Sequence, residues 1–127
     1  MSAPQVTDTD RIAAAQAYID ALVSHDASAV PLAPACTRIE IGIKTGFSGA
    51  HLRRSLNGGL QYRVIRATTA PEFTVVGESV RAKFDLVTKP SIGGRRVGAH
   101  IDETFVIRAD GQIHHIRADI RPFLHVD

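Results

Sequence analysis

Apolar residues near the start of the chain recur every three to four positions, which is the period of an α-helix. They extend from residue 8 to about residue 25 and comprise Ile12, Ala15, Ile19, Leu22 and Val23. Asp8 or Thr9 offers a side-chain oxygen that caps the first turn. This segment is therefore predicted to be an amphipathic helix of about five turns.

Two shorter helices are predicted after it. Residues 28–32 form a second helix, whose length is limited by Pro31 and Pro34. Residues 48–56 form a third helix, which ends at a pair of glycines.

From residue 60 onward the pattern is typical of β-strands separated by turns. The predicted strands are residues 60–67, 73–76, 80–88, 97–108 and 113–120, with turn signals at 70–71, 77–78, 90–94 and 110–111. Helices come first and strands later, so the fold class is predicted to be α+β. We expect a single domain, residues 1–127, with an antiparallel meander packed on one side by helices.

An earlier strand is predicted at residues 37–44, where apolar and polar residues alternate. Ile39, Ile41 and Ile43 form its apolar face and are expected to be buried. This alternation turns Glu40 to the other face unless a bulge intervenes.

One carboxyl group stands on an apolar strand face. Successive side chains of a strand point to opposite sides, so Ile101, Glu103, Phe105 and Ile107 share one side. Because desolvation disfavours a charged carboxylate, Glu103 is a candidate acid or hydrogen-bond donor in a cavity. The alternative is a structural carboxyl, either at the sheet edge or in an ion pair with an arginine.

Tyr18 lies one turn before Leu22, beside the buried stripe of the first helix. One interpretation is a core tyrosine whose hydroxyl reaches water or a backbone carbonyl. The other is a hydrogen-bond donor to a ligand, which requires that the helix line a cavity. The sequence leaves both open.

The composition narrows the classes of function. With 127 residues, 44% of them hydrophobic, the chain suffices for one core and one internal pocket. Its 15 basic and 13 acidic side chains give a net charge of +2, and the arginines are dispersed, so no nucleic-acid-binding face is predicted. The first ten residues show no secretory signal and no apolar run is long enough for a membrane span, so we expect a cytoplasmic protein without a membrane partner.

Metal and cofactor sites are not predicted. The six histidines lack the spacing of a metal motif, and there is no glycine-rich phosphate loop. Cys36, the single cysteine, has no activating base nearby in sequence and is expected to be a small buried residue. His100 and Asp102 share the strand face opposite Glu103, and would form a dyad suited to a dehydratase or hydrolase if that face lined the cavity.

Several segments resemble the nuclear transport factor 2-like (NTF2-like) superfamily. They are residues 17–26 (AYIDALVSHD), residues 32–37 (LAPACT), residues 47–49 (FSG) at a helix start, and the hairpin of residues 101–118. Within the superfamily, the likeness is to the ketosteroid isomerase and SnoaL-like polyketide cyclase branch. The resemblance implies a cone, in which a strongly curved antiparallel sheet wraps around three N-terminal helices and encloses a deep apolar pocket, as in cystatin-like folds.

The resemblance also implies catalytic roles for three residues. In ketosteroid isomerases a carboxylate base moves a proton while a tyrosine and a protonated acid stabilise the dienolate. Tyr18 and Glu103 fall on the two donors and Glu40 on the base, with Glu in both places where the isomerases have Asp. Spacing to the Ser-Gly helix start favours Glu40 as the base, whereas strand alternation favours Ile41 at the pocket.

Such a pocket is expected to bind a hydrophobic carbonyl or polycyclic molecule and to act by isomerase-type proton transfer without a cofactor. Its predicted lining is Leu22, Leu56, Phe84, Ile101, Phe105 and Ile116. The resemblance favours a homodimer. The alternative is a noncatalytic module for small-molecule binding or dimerisation on the same fold, or a dehydratase or hydrolase that uses His100 and Asp102.

Overall fold

The computed structural model describes residues 5–126, with side chains other than those of 90–92, 125 and 126. It contains helices α1 (Asp8–Ser24), α2 (Gly49–Gly58) and α3 (Leu60–Arg63). The strands are β1 (Leu32–Glu40), β2 (Ile43–Gly46), β3 (Ile65–Thr68), β4 (Glu72–Val76), β5 (Ser79–Ile92), β6 (Arg95–Ile107) and β7 (Ile113–Val126). Within the described residues, none of the helices has the length and apolar character needed to cross a membrane.

Helix α1 confirms the long amphipathic helix predicted from the sequence. Its N-cap is Thr7 rather than Asp8 or Thr9, because Thr7 and Asp10 form a reciprocal capping box. The helix ends at His25, whose φ of 57° is in the left-handed region. Arg11 ties the helix to the sheet by donating a hydrogen bond from Nε to the Ile107 carbonyl at 2.8 Å.

The seven strands form one curved, open sheet in the order β2-β1-β7-β6-β5-β3, with β4 also paired to β5. The predicted meander is confirmed, because β5, β6 and β7 pair in sequence order as antiparallel neighbours. One pairing differs from the antiparallel arrangement that was predicted, since β1 runs parallel to β7. This pairing joins the first strand of the chain to the last one.

Two predicted elements were wrong. Residues 28–32 do not form a helix but a turn, and β1 begins at Leu32. The sheet recruits this backbone, since Leu32 pairs with Ile113 and the Ile113 N–H donates to the Pro31 carbonyl at 2.7 Å. Residues 60–67 are only partly a strand, because α3 follows α2 directly and β3 begins afterwards at Ile65.

The alternation predicted at residues 37–44 was also wrong. The strand stops at Glu40, and Ile41 and Gly42 form a turn with φ of 51° and 74°. Ile41 and Ile43 are therefore 62% and 67% exposed. The inner face of β1 instead carries Cys36 and Arg38, both fully buried. The physical reason is a turn inside the apparent strand, together with a register shift between Arg38 and Ile39 opposite β2.

Helices α1 and α2 pack on the inner face of the sheet. Tyr18 of α1 meets Phe105 of β6 edge-on, with ring centroids 5.3 Å apart. Leu52 and Leu56 of α2 are completely buried against the same core. The outer face of β5 to β7 is polar, as in the pairing of Arg81 with Asp102 at 2.5 Å.

Helix α2 packs so closely on β1 that its first residue, Gly49, has no room for a side chain. A Cβ added at Gly49 would collide with the carbonyl oxygen of Ala33. A Cβ added at Gly58, the last residue of the same helix, would meet no atom within 4 Å. Backbone cannot move aside as a flexible side chain can, so Gly49 sets how closely α2 approaches the sheet.

We predict that Gly49→Ala lowers the free energy of unfolding by about 1–3 kcal/mol, because the added methyl overpacks a backbone contact. The matched Gly58→Ala variant should keep or slightly raise it, since alanine is the better helix former. Urea denaturation of the two variants beside the wild type measures both effects. Equal stabilities of the two variants would contradict the packing assigned to Gly49.

Candidate active site

A cavity of about 400 Å³ opens between the helices and the inner face of the sheet. It is bounded by α1, the β1–β2 hairpin, α3 and the middle of β5, β6 and β7. Much of its wall is apolar and comes from Leu22, Phe84, Leu86, Ala99, Ile101 and Ile120. The polar residues that border it are Tyr18, Glu40, Thr45, Gln61, Tyr62, Thr88 and Glu103.

The predicted lining divides into two groups. Leu22, Phe84 and Ile101 border the cavity. Leu56, Phe105 and Ile116 do not: all three are fully buried in the core and are not part of the cavity wall, which corrects the sequence prediction. Phe105 packs behind the Tyr18 ring and pairs with Ile116 across the β6–β7 ladder, so the tyrosine separates this part of the core from the cavity.

Tyr18, Glu40 and Glu103 all border the same cavity, although they come from α1, β1 and β6. Glu40 is the last residue of β1 and lies on the strand face that carries Cys36 and Arg38. Ile41 borders the cavity as well, but from the turn at its mouth.

The guanidinium of Arg38 lies beneath these groups and is completely inaccessible to solvent. Its Nη1 donates to the Tyr18 hydroxyl at 3.1 Å, and its Nε donates to Thr45 Oγ1 at 3.1 Å. Its Nη2 donates to the Thr45 carbonyl at 3.1 Å and to Ser55 Oγ at 3.3 Å. Because a buried charge needs partners, this set of acceptors accounts for how an arginine can be buried here.

Glu40 is the carboxyl that pairs with Arg38. Its Oε1 lies 3.5 Å from Arg38 Nε, and its side chain is 17% exposed. The Tyr62 hydroxyl donates to Glu40 Oε2 at 3.0 Å, and Arg38 also stacks over the Tyr62 ring, 5.0 Å from the centroid. Glu40 is therefore held in one position by two partners that stabilise a carboxylate.

Glu103 has the opposite environment. Its residue is only 3% exposed, and within the described part of the chain no group donates a hydrogen bond to its carboxyl. Its pKa is raised to about 8, first by burial and then by the negative charge of Glu40, with Arg38 acting in the opposite direction. Glu103 is therefore mainly protonated at neutral pH and presents an O–H group to the cavity.

Tyr18 is the second neutral donor. Burial raises the pKa of its hydroxyl, and the nearby carboxyls of Glu103 and Glu40 raise it as well. The hydroxyl oxygen accepts from Arg38, which leaves the phenolic proton to be donated elsewhere. Tyr18 and Glu103 therefore supply O–H donors beside the carboxylate of Glu40.

Sequence reasoning missed Arg38, Thr45 and Tyr62. The alternation of Ile39, Ile41 and Ile43 suggests a buried face that excludes Arg38, and the turn at Ile41 makes that parity wrong. The sequence could have indicated the buried face of β1 if Ile41-Gly42 is taken as a turn. Cys36, Arg38 and Glu40 then alternate along one face of the strand. Tyr62 had no such local signal, since residues 60–67 look like a strand.

The other candidate groups lie elsewhere. His100 and Asp102 stand on the outer face of the sheet, beside a cleft of about 670 Å³, and do not border the inner cavity. His100 Nδ1 lies 2.7 Å from Asp85 Oδ1, and Asp102 pairs with Arg81, so each has another partner.

Cys36 is buried, and burial raises the pKa of its thiol to about 11. Within residues 5–126 no cluster of three or more His, Cys, Asp or Glu side chains could hold a metal ion.

The fold is shared with solved structures of low sequence identity. The epoxide hydrolase/cyclase-like enzyme SalBIII superposes with a TM-score of 0.73 at 15% identity, over 90% of this chain and 92% of that one. An LEH-like epoxide hydrolase from M. tuberculosis gives 0.70 at 19% identity, over 89% and 84%. An NTF2-like protein from Burkholderia xenovorans gives 0.69 at 15% identity, over 91% and 92%. None of the curated proteins matches the sequence.

These likenesses confirm the expected fold, an NTF2-like architecture of helices packed against a curved sheet. At such identities they establish the fold alone. A family model described as a domain of unknown function, DUF8021, matches residues 4–120. The chain therefore belongs to the DUF8021 family.

Proposed function

We propose that the protein is a cofactor-free enzyme that transfers a proton on a neutral, hydrophobic carbonyl substrate, as ketosteroid isomerases and related cyclases do. Glu40 would abstract a proton next to the carbonyl group. Glu103 and Tyr18 would donate hydrogen bonds to the oxygen on which negative charge develops. The apolar wall would hold the carbon skeleton of the substrate.

One observation carries this proposal: two carboxyl groups border the same cavity in opposite environments. Glu40 has an arginine and a tyrosine as partners, whereas Glu103 has burial and no described hydrogen-bond donor. Environments that drive two carboxyls into different protonation states are what acid–base chemistry requires at a single pH. A purely structural carboxyl at the position of Glu103 would be expected to pair with an arginine, and among the described residues Glu103 forms no such pair.

The charge of the cavity floor supports a neutral substrate. The positive charge of Arg38 is balanced by Glu40, and Glu103 carries no charge at neutral pH. A carboxylate or ammonium ligand would lose its hydration without gaining a free counter-charge. A ketone oxygen needs only hydrogen-bond donors, which Glu103 and Tyr18 provide.

A second candidate function is the opening of an epoxide in the same cavity. It is favoured by the likeness of the fold to two proteins, an LEH-like epoxide hydrolase and an epoxide hydrolase/cyclase-like enzyme. This reaction also needs a base, here Glu40 acting on water or on a substrate hydroxyl, and an acid, here Glu103 acting on the epoxide oxygen. The noncatalytic alternative keeps the cavity as a binding site without turnover.

We predict that Glu40→Gln slows the isomerisation of a 5-ene-3-ketosteroid by about a hundredfold to ten-thousandfold, because the amide cannot accept the proton. The reaction is followed by the ultraviolet absorbance of the conjugated ketone. Glu78→Gln, at an exposed hairpin position away from the cavity, serves as the matched control and should keep the wild-type rate. Background rates for both wild type and Glu40→Gln would refute the isomerase proposal. Hydration of an epoxide by the wild type but not by the variant would then support the second candidate.

The proton on Glu103 predicts a pH dependence of stability. Between the ordinary value of 4.5 and about 8, the folded protein retains a proton that the unfolded chain has released. The stabilisation is complete below pH 4.5 and is lost as the pH rises towards 8, with a slope on the order of 1 kcal/mol per pH unit.

Glu103→Gln removes this titration and keeps the size of the protonated side chain. The free energy of unfolding of the wild type, taken relative to Glu103→Gln, should fall between pH 5 and 8. The free energy of unfolding of the wild type, taken relative to Glu78→Gln, should show no such fall over the same pH range. A constant difference between wild type and Glu103→Gln over this range would mean that Glu103 is ionised in the folded protein.

A further inference from the structure

The turn between β1 and β2 carries a residue that is unfavourable there on two grounds. Ile41 has a φ of 51°, in the left-handed region, where a β-branched side chain is an outlier. It is also 62% exposed although it is large and apolar. Asparagine followed by glycine is the pair that such a turn favours, and Gly42 already supplies the second member.

The surrounding structure holds Ile41 in this conformation. Its N–H donates to the Ala118 carbonyl of β7 at 3.0 Å, and Glu40, the residue before it, pairs with Ala118 across the parallel ladder. The turn is therefore fixed to β7, the strand next to β1, which also borders the cavity. Backbone strain that is imposed in this way is concentrated at functional sites.

The position of the side chain indicates what it contacts. Ile41 borders the cavity from its mouth, as do Ile43 of the same hairpin and Val64 next to α3. Glu103 borders the same cavity from its buried interior. A ligand whose oxygen reaches Glu103 and whose skeleton extends outward would therefore pass against Ile41.

We propose that Ile41 is a ligand-contact residue that covers the apolar body of a neutral, elongated substrate at the cavity mouth. This inference rests on the proposed function only in taking the cavity as the site of a hydrophobic ligand; it does not require catalysis. The unfavourable backbone is retained because an isoleucine at this point buries apolar surface of the ligand. Glu103 would bind the polar end of the substrate inside the cavity, and Ile41 would contact its apolar end at the turn.

The experiment uses Ile41→Asn and a neutral apolar dye, N-phenyl-1-naphthylamine, which fluoresces when it enters a nonpolar site. Asparagine adopts the left-handed conformation readily, so Ile41→Asn should raise the Tm by roughly 3–6 °C. The same change removes the apolar contact and should weaken dye binding by about five- to tenfold. Ile41→Leu, which keeps an apolar side chain, should bind the dye nearly as well as the wild type.

Val76→Asn is the matched control, since it removes a 74% exposed apolar residue from another hairpin, away from the cavity. Val76→Asn should leave dye affinity unchanged, and it should leave the left-handed backbone at Ile41 as it is in the wild type. Wild-type affinity in Ile41→Asn, or no dye binding by the wild type, would overturn the inference. A change of oligomeric state in Ile41→Asn with unchanged dye affinity would assign the residue to a contact between copies instead.

The two proposals fail in different ways. Glu40→Gln should slow turnover as predicted above but keep dye affinity, because the dye needs no base. Loss of dye affinity in Ile41→Asn together with absent steroid turnover in the wild type would support the ligand contact and refute the isomerase proposal. Turnover by the wild type that Ile41→Asn leaves unchanged in both KM and kcat would refute the ligand contact alone.

Discussion

The structure depends on one buried cation. Arg38 is an arginine with no solvent exposure, and its hydrogen bonds reach Tyr18 on α1, Thr45 on β2 and Ser55 on α2. Desolvating a guanidinium is costly, so it can occupy this place only if all these acceptors are present together. The same contacts that join two helices to the first hairpin therefore also position the polar end of the cavity.

The arrangement around Arg38 makes the two carboxyls different. Glu40 Oε1 lies 3.5 Å from Arg38 Nε and balances the charge of the guanidinium. The Tyr62 hydroxyl donates a hydrogen bond to the other carboxylate oxygen, Oε2. Glu103 is left with burial and with the negative charge of Glu40, both of which oppose its ionisation. One cavity thus holds a carboxyl paired with a buried arginine and a second carboxyl that burial keeps neutral, which is the chemical basis of the proposed proton transfer.

Features decided within one element could be predicted from the sequence. The long first helix follows from its period, the β5–β7 meander from its turns, and the inward direction of Glu103 from the apolar residues on either side of it in the same strand. The family resemblance pointed to Tyr18 and Glu40, which border the same cavity as Glu103. Their catalytic roles stay predictions.

Features decided by distant partners could not be predicted in this way. The conformation of residues 28–32 follows from pairing with β7, which lies near the other end of the chain. The burial of Arg38 depends on acceptors in three separate elements, and the turn has Ile41 instead of asparagine or aspartate before Gly42. Leu56, Phe105 and Ile116 were predicted to line the cavity but lie in the core, because local pattern does not distinguish a core position from a cavity wall.

The most direct test of the account is the titration of the Glu103 side chain itself. In protein labelled with ¹³C at the glutamate carboxyl carbons, the Glu103 resonance is assigned by its disappearance in Glu103→Gln and followed against pH. The account predicts that it titrates with a pKa of about 8, far above the ordinary value of 4.5. A Glu103 resonance that titrates near 4.5 would show a carboxylate at neutral pH and would contradict the account.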